Sequence, residues 1–508
     1  MKKLYIVLFA FIGLTATTTT AQDYKDVAHI FYSRCTSCHH LNQHAPPMMN
    51  YSQTMNLAYA LSADLTGNRM PPWPPDTLYS RFTHEHIITA SEKADLLSWI
   101  NQGFTMGDTT LAPTPPTYQQ YQLNGTPDLI LSTGAFASNA TLTADAYDCF
   151  SLPSGLLQDR ILRAYEIVPG NVPIVHHVVV NLDSMATTTS NTAGNCWTIT
   201  GDIGIGGYAP GSPPTVFPGQ APLKAGIRIK AGSKLVLQIH YPAGTGGQMD
   251  NTQIRLYFYP IGTTGVRTIY NSVPLQLWSL PIPANTTQTF TQNYALSGDI
   301  SLFAVFPHSH KICTKITNYA FLGTDTIKEI KIDNWRFDWQ GYYTFPNLKK
   351  IPNNYTLHSM HFYDNTTNNL NNPHNPPQNV QAGTSTTDEM FFDAIQWLVY
   401  QPGDENIDVA SILANDPLLA NVNDLATSSF QSYVYPNPAN DKVNIYLSKK
   451  ADYKIGIYTI AGQNVLQTKT SEDATALDVK NIANGLYLVE IKDIKSGETI
   501  SKKIIILH

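Results

Sequence analysis

Short runs of β-branched and aromatic residues, separated by Gly and Pro, recur from about residue 121 to residue 402. The clearest runs are 161–168, 173–180, 234–240, 253–259, 301–306, 327–339 and 391–400. Runs of this length between turn residues predict strands, and their regular spacing predicts antiparallel β-sandwiches. The length of the span predicts one or two domains, which we divide at residues 121–265 and 266–402.

Histidines accompany several of these predicted strands. His308 and His310 follow the apolar run 301–306 and are two residues apart, so on an extended chain they share one face. A transition metal would use such a pair, although two polar residues at a strand end are the plainer alternative. The other residues that could complete metal sites are His176, His177, His240 and Met390.

The ligand chemistry divides this set in two. Three imidazoles suit copper or zinc, whereas two imidazoles and a thioether favour copper, because soft sulfur stabilises Cu(I). Adjacent side chains on a regular strand point to opposite faces. His176 and His177 could therefore share one ion only if the strand twists or bulges there.

These residues, in this order, resemble the motifs of the copper type II, ascorbate-dependent monooxygenases. That family includes peptidylglycine α-hydroxylating monooxygenase and dopamine β-monooxygenase. The matching segments are 176–177, 238–241, 308–310, 361–366 and 388–390, within a resemblance that covers roughly residues 125–402.

The resemblance implies two jelly-roll-like domains that hold two copper ions. The first copper would be bound by His176, His177 and His240, would store an electron, and would have Gln238 on its electron-transfer path. The second would be bound by the catalytic residues His308, His310 and Met390, and would activate O2 to hydroxylate a C–H bond of a small molecule. An ascorbate-like reductant is also implied.

Three positions depart from the peptidylglycine enzymes, in which an arginine, an asparagine and a tyrosine hold the substrate. This chain has Phe306, Phe392 and Ala394 there. A substrate carboxylate would lose its bidentate partner. Peptide amidation is therefore not expected.

A second motif lies near the N-terminus, where Cys35, Cys38 and His39 form a Cys-x-x-Cys-His sequence. This sequence predicts covalent haem c, held by the two cysteines and ligated by His39, with a redox dithiol as the alternative. The other axial ligand is predicted to be Met70, in a Pro-rich loop. Met48 and Met49 are its competitors.

Residues 23–107 resemble the small all-α cytochrome c modules of exported bacterial proteins. Their last predicted helix starts with a capping box of Thr89 and Glu92 and ends at Gly103. A Pro/Thr-rich linker follows at 108–120, which would tether the haem close to the copper domains. The family of copper monooxygenases lacks a haem, so the predicted fusion to a cytochrome c module distinguishes this chain from that family.

The two ends of the chain predict export. Residues 1–22 have the basic, apolar and small-residue order of a secretory signal, and no apolar run is long enough to span a membrane. After a predicted linker at 403–429, residues 430–508 have the pattern of an Ig-like β-sandwich. They resemble the sorting domains of the Bacteroidetes type IX secretion system, which implies that machinery as a partner and a secreted or surface-attached protein. An adhesive or carbohydrate-binding module is the alternative.

Cysteine use and charge complete the prediction. Cys149 and Cys196 are expected to form a disulfide, as exported β-domains commonly do, which leaves Cys313 without an assigned role. A net charge of −6 argues against a nucleic-acid partner. The favoured function is a copper monooxygenase supplied with electrons through its haem, which itself needs an external donor. The alternatives are a haem and copper electron-transfer protein, and a binding protein that has lost its metals.

Overall fold

The computed structural model describes residues 22–508 except 41–42, 44, 119–120, 420–431, 437, 448–449, 460–461 and 496–498. The secretory signal predicted at 1–22 therefore lies outside the described residues, apart from Gln22. The first unit is helical and contains α1 (Tyr24–Arg34), α2 (Tyr51–Met55), α3 (Ala58–Thr66) and α4 (Ala90–Asn101).

The helical unit has its own apolar core. Phe31 of α1 and Leu96 and Trp99 of α4 are fully buried in it. The predicted capping box is confirmed, because the Thr89 hydroxyl accepts from the Glu92 N–H and the Glu92 carboxylate accepts from the Thr89 N–H. The local signals at the start of α4 therefore agree with its packing.

One segment of the predicted N-terminal domain leaves this unit. Residues 70–86, which we call the strap, lie along the second β-domain instead. The Asp76 N–H donates to the Lys331 carbonyl at 2.8 Å, and Phe82 enters the core of that domain with Trp73 packed against it. Burial of an aromatic side chain contributes about 1.5–3 kcal/mol. The prediction of a self-contained domain at 23–107 is thus wrong for the strap, whose rings find their core elsewhere.

The first β-domain has thirteen strands. They are β1 (Leu129–Ser132), β2 (Phe136–Ala137), β3 (Ala146–Pro153), β4 (Arg160–Val168), β5 (His177–Asp183), β6 (Ile203–Tyr208), β7 (Thr215–Val216), β8 (Gly219–Gln220), β9 (Leu223–Ile229), β10 (Lys234–Tyr241), β11 (Met249–Asp250), β12 (Gln253–Phe258) and β13 (Val266–Thr268).

Two sheets of this domain enclose one core. One has the order β1-β12-β4-β9-β13, with β7 beside β4 and β8 beside β9, and the other has the order β3-β10-β5-β6. β2 and β11 form a separate pair. β13 runs parallel to β9. The predicted boundary at residue 265 is therefore a few residues early, and the pairing is not entirely antiparallel.

The second β-domain is an antiparallel sandwich of two four-stranded sheets. Its strands are β14 (Tyr270–Leu277), β15 (Thr286–Ala295), β16 (Ile300–His308), β17 (Cys313–Leu322), β18 (Asp325–Ile332), β19 (Tyr343–Ile351), β20 (Thr356–Asn365) and β21 (Phe391–Val399). The sheet orders are β14-β21-β16-β19 and β15-β20-β17-β18. β16 and β21 are neighbours, which brings the metal motifs at 308–310 and 388–390 to one end of one sheet.

The linker predicted at 403–429 is wrong for residues 403–419. A short helix, α5 (Val409–Ala414), lies within them and is capped by the Asp408 side chain. Val409, Ile412 and Leu413 are buried in the core of the first β-domain. Their i, i+3, i+4 spacing is that of an amphipathic helix, but six residues are too few for a clear periodic signal. The rest of the predicted linker, residues 420–429, lies outside the described residues.

The C-terminal unit consists of two packed antiparallel sheets around one core. Its strands are β22 (Ser432–Tyr435), β23 (Lys442–Leu447), β24 (Tyr453–Thr459), β25 (Asn464–Thr470), β26 (Ala474–Asp478), β27 (Gly485–Asp493) and β28 (Thr499–Ile506). The sheet orders are β22-β23-β26 and β25-β24-β27-β28. This agrees with the β-sandwich expected at 430–508.

Candidate metal centres

Three histidines of the first β-domain meet at one point. The Nδ1 atoms of His176 and His177 are 3.2 Å apart, and His240 Nδ1 lies 3.2 Å from the first and 3.3 Å from the second. An ion equidistant from the three nitrogens, in their plane, would lie about 1.9 Å from each, close to the usual metal–imidazole distance of about 2.0 Å. The three side chains therefore fit one transition-metal ion.

The local backbone explains how adjacent histidines converge. His176 precedes β5 and follows a short 3-10 helix, Val172–Ile174, so it is not part of a regular strand. Its N–H donates to the His240 carbonyl at 3.0 Å, while His177 begins β5 directly opposite His240. The alternation rule applies only inside a strand. It therefore does not separate these two imidazoles.

The surroundings of His177 favour a neutral imidazole, which is the form that binds metals. Burial lowers the pKa of His177 well below its usual value, helped by repulsion from His240, His176 and His308. Asp145 Oδ2 lies 3.0 Å from His240 Nε2, on the ring edge away from the shared point. That contact lowers the pKa of Asp145 to about 2. A carboxylate behind a ligating histidine fixes its tautomer and orientation.

Two further side chains support His240. Tyr147, opposite it on β3, stacks parallel to the imidazole with ring centroids 4.4 Å apart. Gln238, two residues before His240 on β10, donates from Nε2 to the Cys196 carbonyl at 2.7 Å. The disulfide predicted between Cys149 and Cys196 is confirmed. Gln238 thus connects the strand of the first site to the disulfide loop.

The second predicted site lies at the ends of β16 and β21. His308 Nε2 is 3.3 Å from Met390 Sδ, and the His308 and His310 rings are perpendicular with centroids 5.3 Å apart. His308 is opposite Phe392, so the residue just before β21, Met390, comes level with the His308–His310 pair. The structure therefore brings the three predicted ligands together.

Contacts behind the rings select the nitrogen that faces this site. His308 Nδ1 contacts Gln340 Oε1, and His310 Nδ1 lies 3.0 Å from the Asp388 carbonyl. Both partners are acceptors, so each Nδ1 is the protonated nitrogen and each Nε2 keeps its lone pair. A soft thioether beside two such nitrogens suits copper.

Two buried carboxylates hold the backbone of the second site. Glu389 accepts hydrogen bonds from the N–H groups of His310 at 3.0 Å and Ile312 at 2.7 Å, and burial raises its pKa to about 7. Asp393 accepts from the His308 N–H at 3.2 Å and pairs with the fully buried His361 at 3.1 Å. His361 is therefore a structural partner of the second site.

Sequence reasoning assigned no role at either site to Asp145, Tyr147, Gln340, Glu389 or Asp393, although Glu389 lies in the matching segment 388–390. A signal existed for the last two, because charged residues beside or within the apolar run 391–400 are costly to bury without partners. Cys313 is buried on β17 and its thiol lies 3.5 Å from the Lys315 carbonyl. It packs in the core of the second β-domain.

Aromatic rings flank His308. The Phe306 ring is nearly parallel to it at 6.0 Å and the Phe392 ring is perpendicular at 6.1 Å, measured between centroids. Ala394 is buried. The side chains beside His308 are therefore apolar.

The Cys-x-x-Cys-His motif follows α1. His39 Nδ1 lies 2.7 Å from the Pro46 carbonyl, an acceptor, so Nε2 keeps the lone pair that a ligand needs. Cys35 and Cys38 are not joined to each other, and burial raises the pKa of Cys35 to about 12. Redox dithiols have lowered thiol pKa values. A raised thiol pKa is not typical of a redox dithiol, and haem attachment at Cys35 and Cys38 stays a prediction.

The candidate methionines differ in position. Met48 is buried in the helical core, and its N–H donates to the His39 carbonyl at 2.8 Å. Its loop thus contacts the backbone of His39. Met70 is half-buried at the start of the strap. Met70 stays the predicted axial ligand.

The haem motif also contacts the first β-domain. A Cβ on Gly211, just beyond β6, would overlap Cys38 Sγ. β6 ends at Tyr208, which is paired with Val178, the neighbour of His177. In the predicted linker, Tyr118 stacks on His40 at 4.0 Å and its hydroxyl lies 2.8 Å from Thr36 Oγ1. The motif is therefore docked on the domain of the first metal site rather than loosely tethered to it.

Comparison with known proteins identifies the C-terminal unit. The family model described as "Secretion system C-terminal sorting domain" matches residues 433–507. The sorting domain indicates export through type IX secretion to the cell surface or beyond, and interaction with that machinery. Within the described part of the chain, no helix has the length and apolarity to cross a membrane. No curated protein matches the chain significantly.

Solved structures share only weak likeness with the chain. PorZ, a surface component of the type-IX secretion system of Porphyromonas gingivalis, is 19% identical over 25% of this chain and 14% of its own, with a TM-score of 0.15. A Faecalibacterium prausnitzii β-glucuronidase is 9% identical over 46% of this chain and 38% of its own, with a TM-score of 0.14. A Ruminococcus gnavus β-glucuronidase is 8% identical over 49% and 46%, with a TM-score of 0.15. The chain thus spans less than half of each structure, and TM-scores this low do not establish a shared fold.

Proposed function

We propose that this exported chain is a copper-dependent monooxygenase that hydroxylates a C–H bond of a small, unidentified substrate with O2 and receives its electrons through a fused haem c. The observation that carries the proposal is the triangle of Nδ1 atoms at 3.2–3.3 Å formed by His176, His177 and His240. The pair of His308 Nε2 and Met390 Sδ supports it. A chain that served only for binding would have no reason to bring both ligand sets together.

The two donor sets suit two different tasks. Three imidazoles braced by Asp145 and Tyr147 hold a metal with little room to rearrange, which suits one-electron storage. Met390 brings a soft donor to the second set, which favours Cu(I). Bound copper at these sites would supply electron storage and O2 activation.

The chain's own residues would orient these groups and exclude water. Gln340 and the Asp388 carbonyl hold the second-site imidazoles with Nε2 forward, and Glu389 and Asp393 fix the backbone that carries them. Phe306 and Phe392 form apolar walls beside His308. A substrate would therefore be held by apolar contacts beside the second site, without a carboxylate clamp.

Electrons would reach the first site by a short route. Cys38 packs on Gly211, the chain continues from Gly211 to Tyr208, and Tyr208 is paired with Val178 beside His177. Hydroxylation with O2 takes two external electrons, so the haem would be used twice in each turnover. Residues 433–507 would serve export and take no part in this chemistry.

Metal analysis of the purified mature protein tests the proposal. We expect two coppers per chain with two distinct Cu(II) signals in electron paramagnetic resonance, one covalent haem, and O2 consumption on reduction. Zinc alone, or one metal per chain with all six ligands intact, would refute the copper assignment. Two coppers that relay electrons but consume no O2 with any organic substrate would point instead to an electron-transfer protein.

A separate prediction concerns the haem. Replacing Met70 with Leu should convert a low-spin haem spectrum to a high-spin one, because the iron would lose its axial thioether. Met49→Leu is the matched control, since Met49 belongs to the loop that contacts the backbone of His39. Absorption and magnetic circular dichroism spectra would report the change. The assignment of Met70 is wrong if Met49→Leu alters the spin state and Met70→Leu does not.

A further inference from the structure

A pocket lies where the strap meets both β-domains. Its walls come from the strap, from residues 209–213 that follow β6, and from residues 339–344 that lead into β19. Trp73, Thr83 and Tyr343 are among the lining residues. Gln340, which contacts His308 Nδ1, also lines it.

Three of the lining side chains have buried polar atoms without a hydrogen-bond partner in the described structure. They are Trp73 Nε1, Thr83 Oγ1 and Tyr343 Oη. Tyr343 is 4% exposed and Thr83 is 6% exposed. A buried polar group without a partner costs about 1–3 kcal/mol. Three such groups around one pocket indicate a ligand that satisfies them.

The chemistry of these groups limits what the ligand can be. The indole N–H of Trp73 is a donor only, and a hydroxyl can donate. Burial raises the pKa of Tyr343, so its hydroxyl keeps its proton. A ligand that accepts hydrogen bonds from all three groups must be rich in acceptors. A carboxylate is, because its two oxygens offer about four lone-pair positions.

The pocket adjoins the haem motif on one side, and the start of the strap lies beside the second β-domain that forms another wall. Gly211, which contacts Cys38, lies between the lining residues Ala209 and Ser212. The strap starts at Met70, and Arg336 of the second β-domain donates to the Arg69 carbonyl at 3.1 Å. A haem c carries two propionate carboxylates. A haem joined to Cys38 and lying toward the strap would bring its propionate edge to this pocket.

We propose that the pocket is a carboxylate site that binds a haem propionate, with Trp73, Thr83 and Tyr343 as donors. This inference rests on the proposed haem attachment at Cys35 and Cys38. The haem would then be enclosed by the helical unit and both β-domains. Its propionate edge would lie one side chain, Gln340, from His308.

The test compares two variants that remove only a hydroxyl, Tyr343→Phe and Thr83→Val, in the full-length holoprotein. The control is Tyr257→Phe, which removes a similarly buried hydroxyl from β12. Loss of a donor to a propionate leaves more negative charge near the iron. We expect a lower haem reduction potential and shifted propionate bands in the resonance Raman spectrum for both variants, and neither change for the control.

A second arm uses acetate as the probe and follows binding by calorimetry. If acetate binds to the parent protein but not to Tyr343→Phe, and the haem potential is unchanged in that variant, the pocket binds a soluble carboxylate rather than a haem propionate. No shift in potential and no acetate binding would overturn the inference. Haem content is measured first, so an absence of covalent haem would be recognised as a failure of the proposed function.

Discussion

Replacing Met390 with Leu should remove the second copper while leaving the first site filled. Leu is similar in volume to Met, and such exchanges usually cost less than about 1.5 kcal/mol, so the fold should survive. The soft donor 3.3 Å from His308 Nε2 would be lost. Because even outer partners of a metal site are worth about 10–100-fold in affinity or activity, we expect at least about a 100-fold loss of reductant-driven O2 consumption.

Copper content and electron paramagnetic resonance would measure this result. One of two Cu(II) signals should disappear, and the remaining signal should match the site of His176, His177 and His240. Met360→Leu is the matched control, because Met360 is a partly exposed methionine on β20. If Met390→Leu retained two tightly bound coppers and the parent rate of O2 consumption, the assignment of the second site would be wrong.

The second large effect concerns electron flow from the haem. The experiment starts without O2, with the haem of the full chain reduced and the coppers oxidised. We expect the absorption spectrum of the haem to change from the reduced to the oxidised form as a Cu(II) signal is lost. The first signal lost should be that of the His176, His177 and His240 site, because Cys38 is docked at the end of β6. Rapid-mixing absorbance and freeze-quenched resonance spectra would follow both changes.

Gly211→Ala should slow this transfer. A methyl group there would overlap Cys38 Sγ and push the haem motif away, and ångström-scale misplacement can cost about 100-fold in rate. Gly125→Ala is the matched control, because both glycines have a φ of +82° but Gly125 has open space around its Cβ position. Both variants carry the same left-handed strain of about 1–2 kcal/mol. Equal rates in the two variants, or a haem that stays reduced, would refute this route.

The strand pattern could be predicted from the sequence because it depends on local rules, whereas the six candidate ligands were assigned through the resemblance to a family and stay a prediction. Alternation and turn residues mark β10, β16 and β21, and a metal site needs particular side chains whatever the fold. The convergence of His176 and His177 could not be derived in this way. It depends on the start of β5 at His177, and strand ends are set by long-range pairing with β10.

Long-range packing also explains the other differences between the sequence predictions and the structure. The strap has the Pro-rich composition of a loop, yet Trp73 and Phe82 pack in the second β-domain because its core lies within reach. Residues 403–419 resemble a linker because their helix is too short to show a periodic pattern. In each case the partner is far away along the chain, where local patterns carry no information.

The link from the second β-domain back to the first has a mechanical consequence. Phe303, Leu348 and Leu398 of the second domain share a core with α5 and the first domain. Arg163 forms ion pairs with Asp416 at 2.7 and 2.9 Å, which fastens the returning chain to β4. Two domains joined through a common interior do not open and close like a hinge. Electrons that pass between ions bound at the two proposed sites would therefore cross a fixed distance, without domain motion.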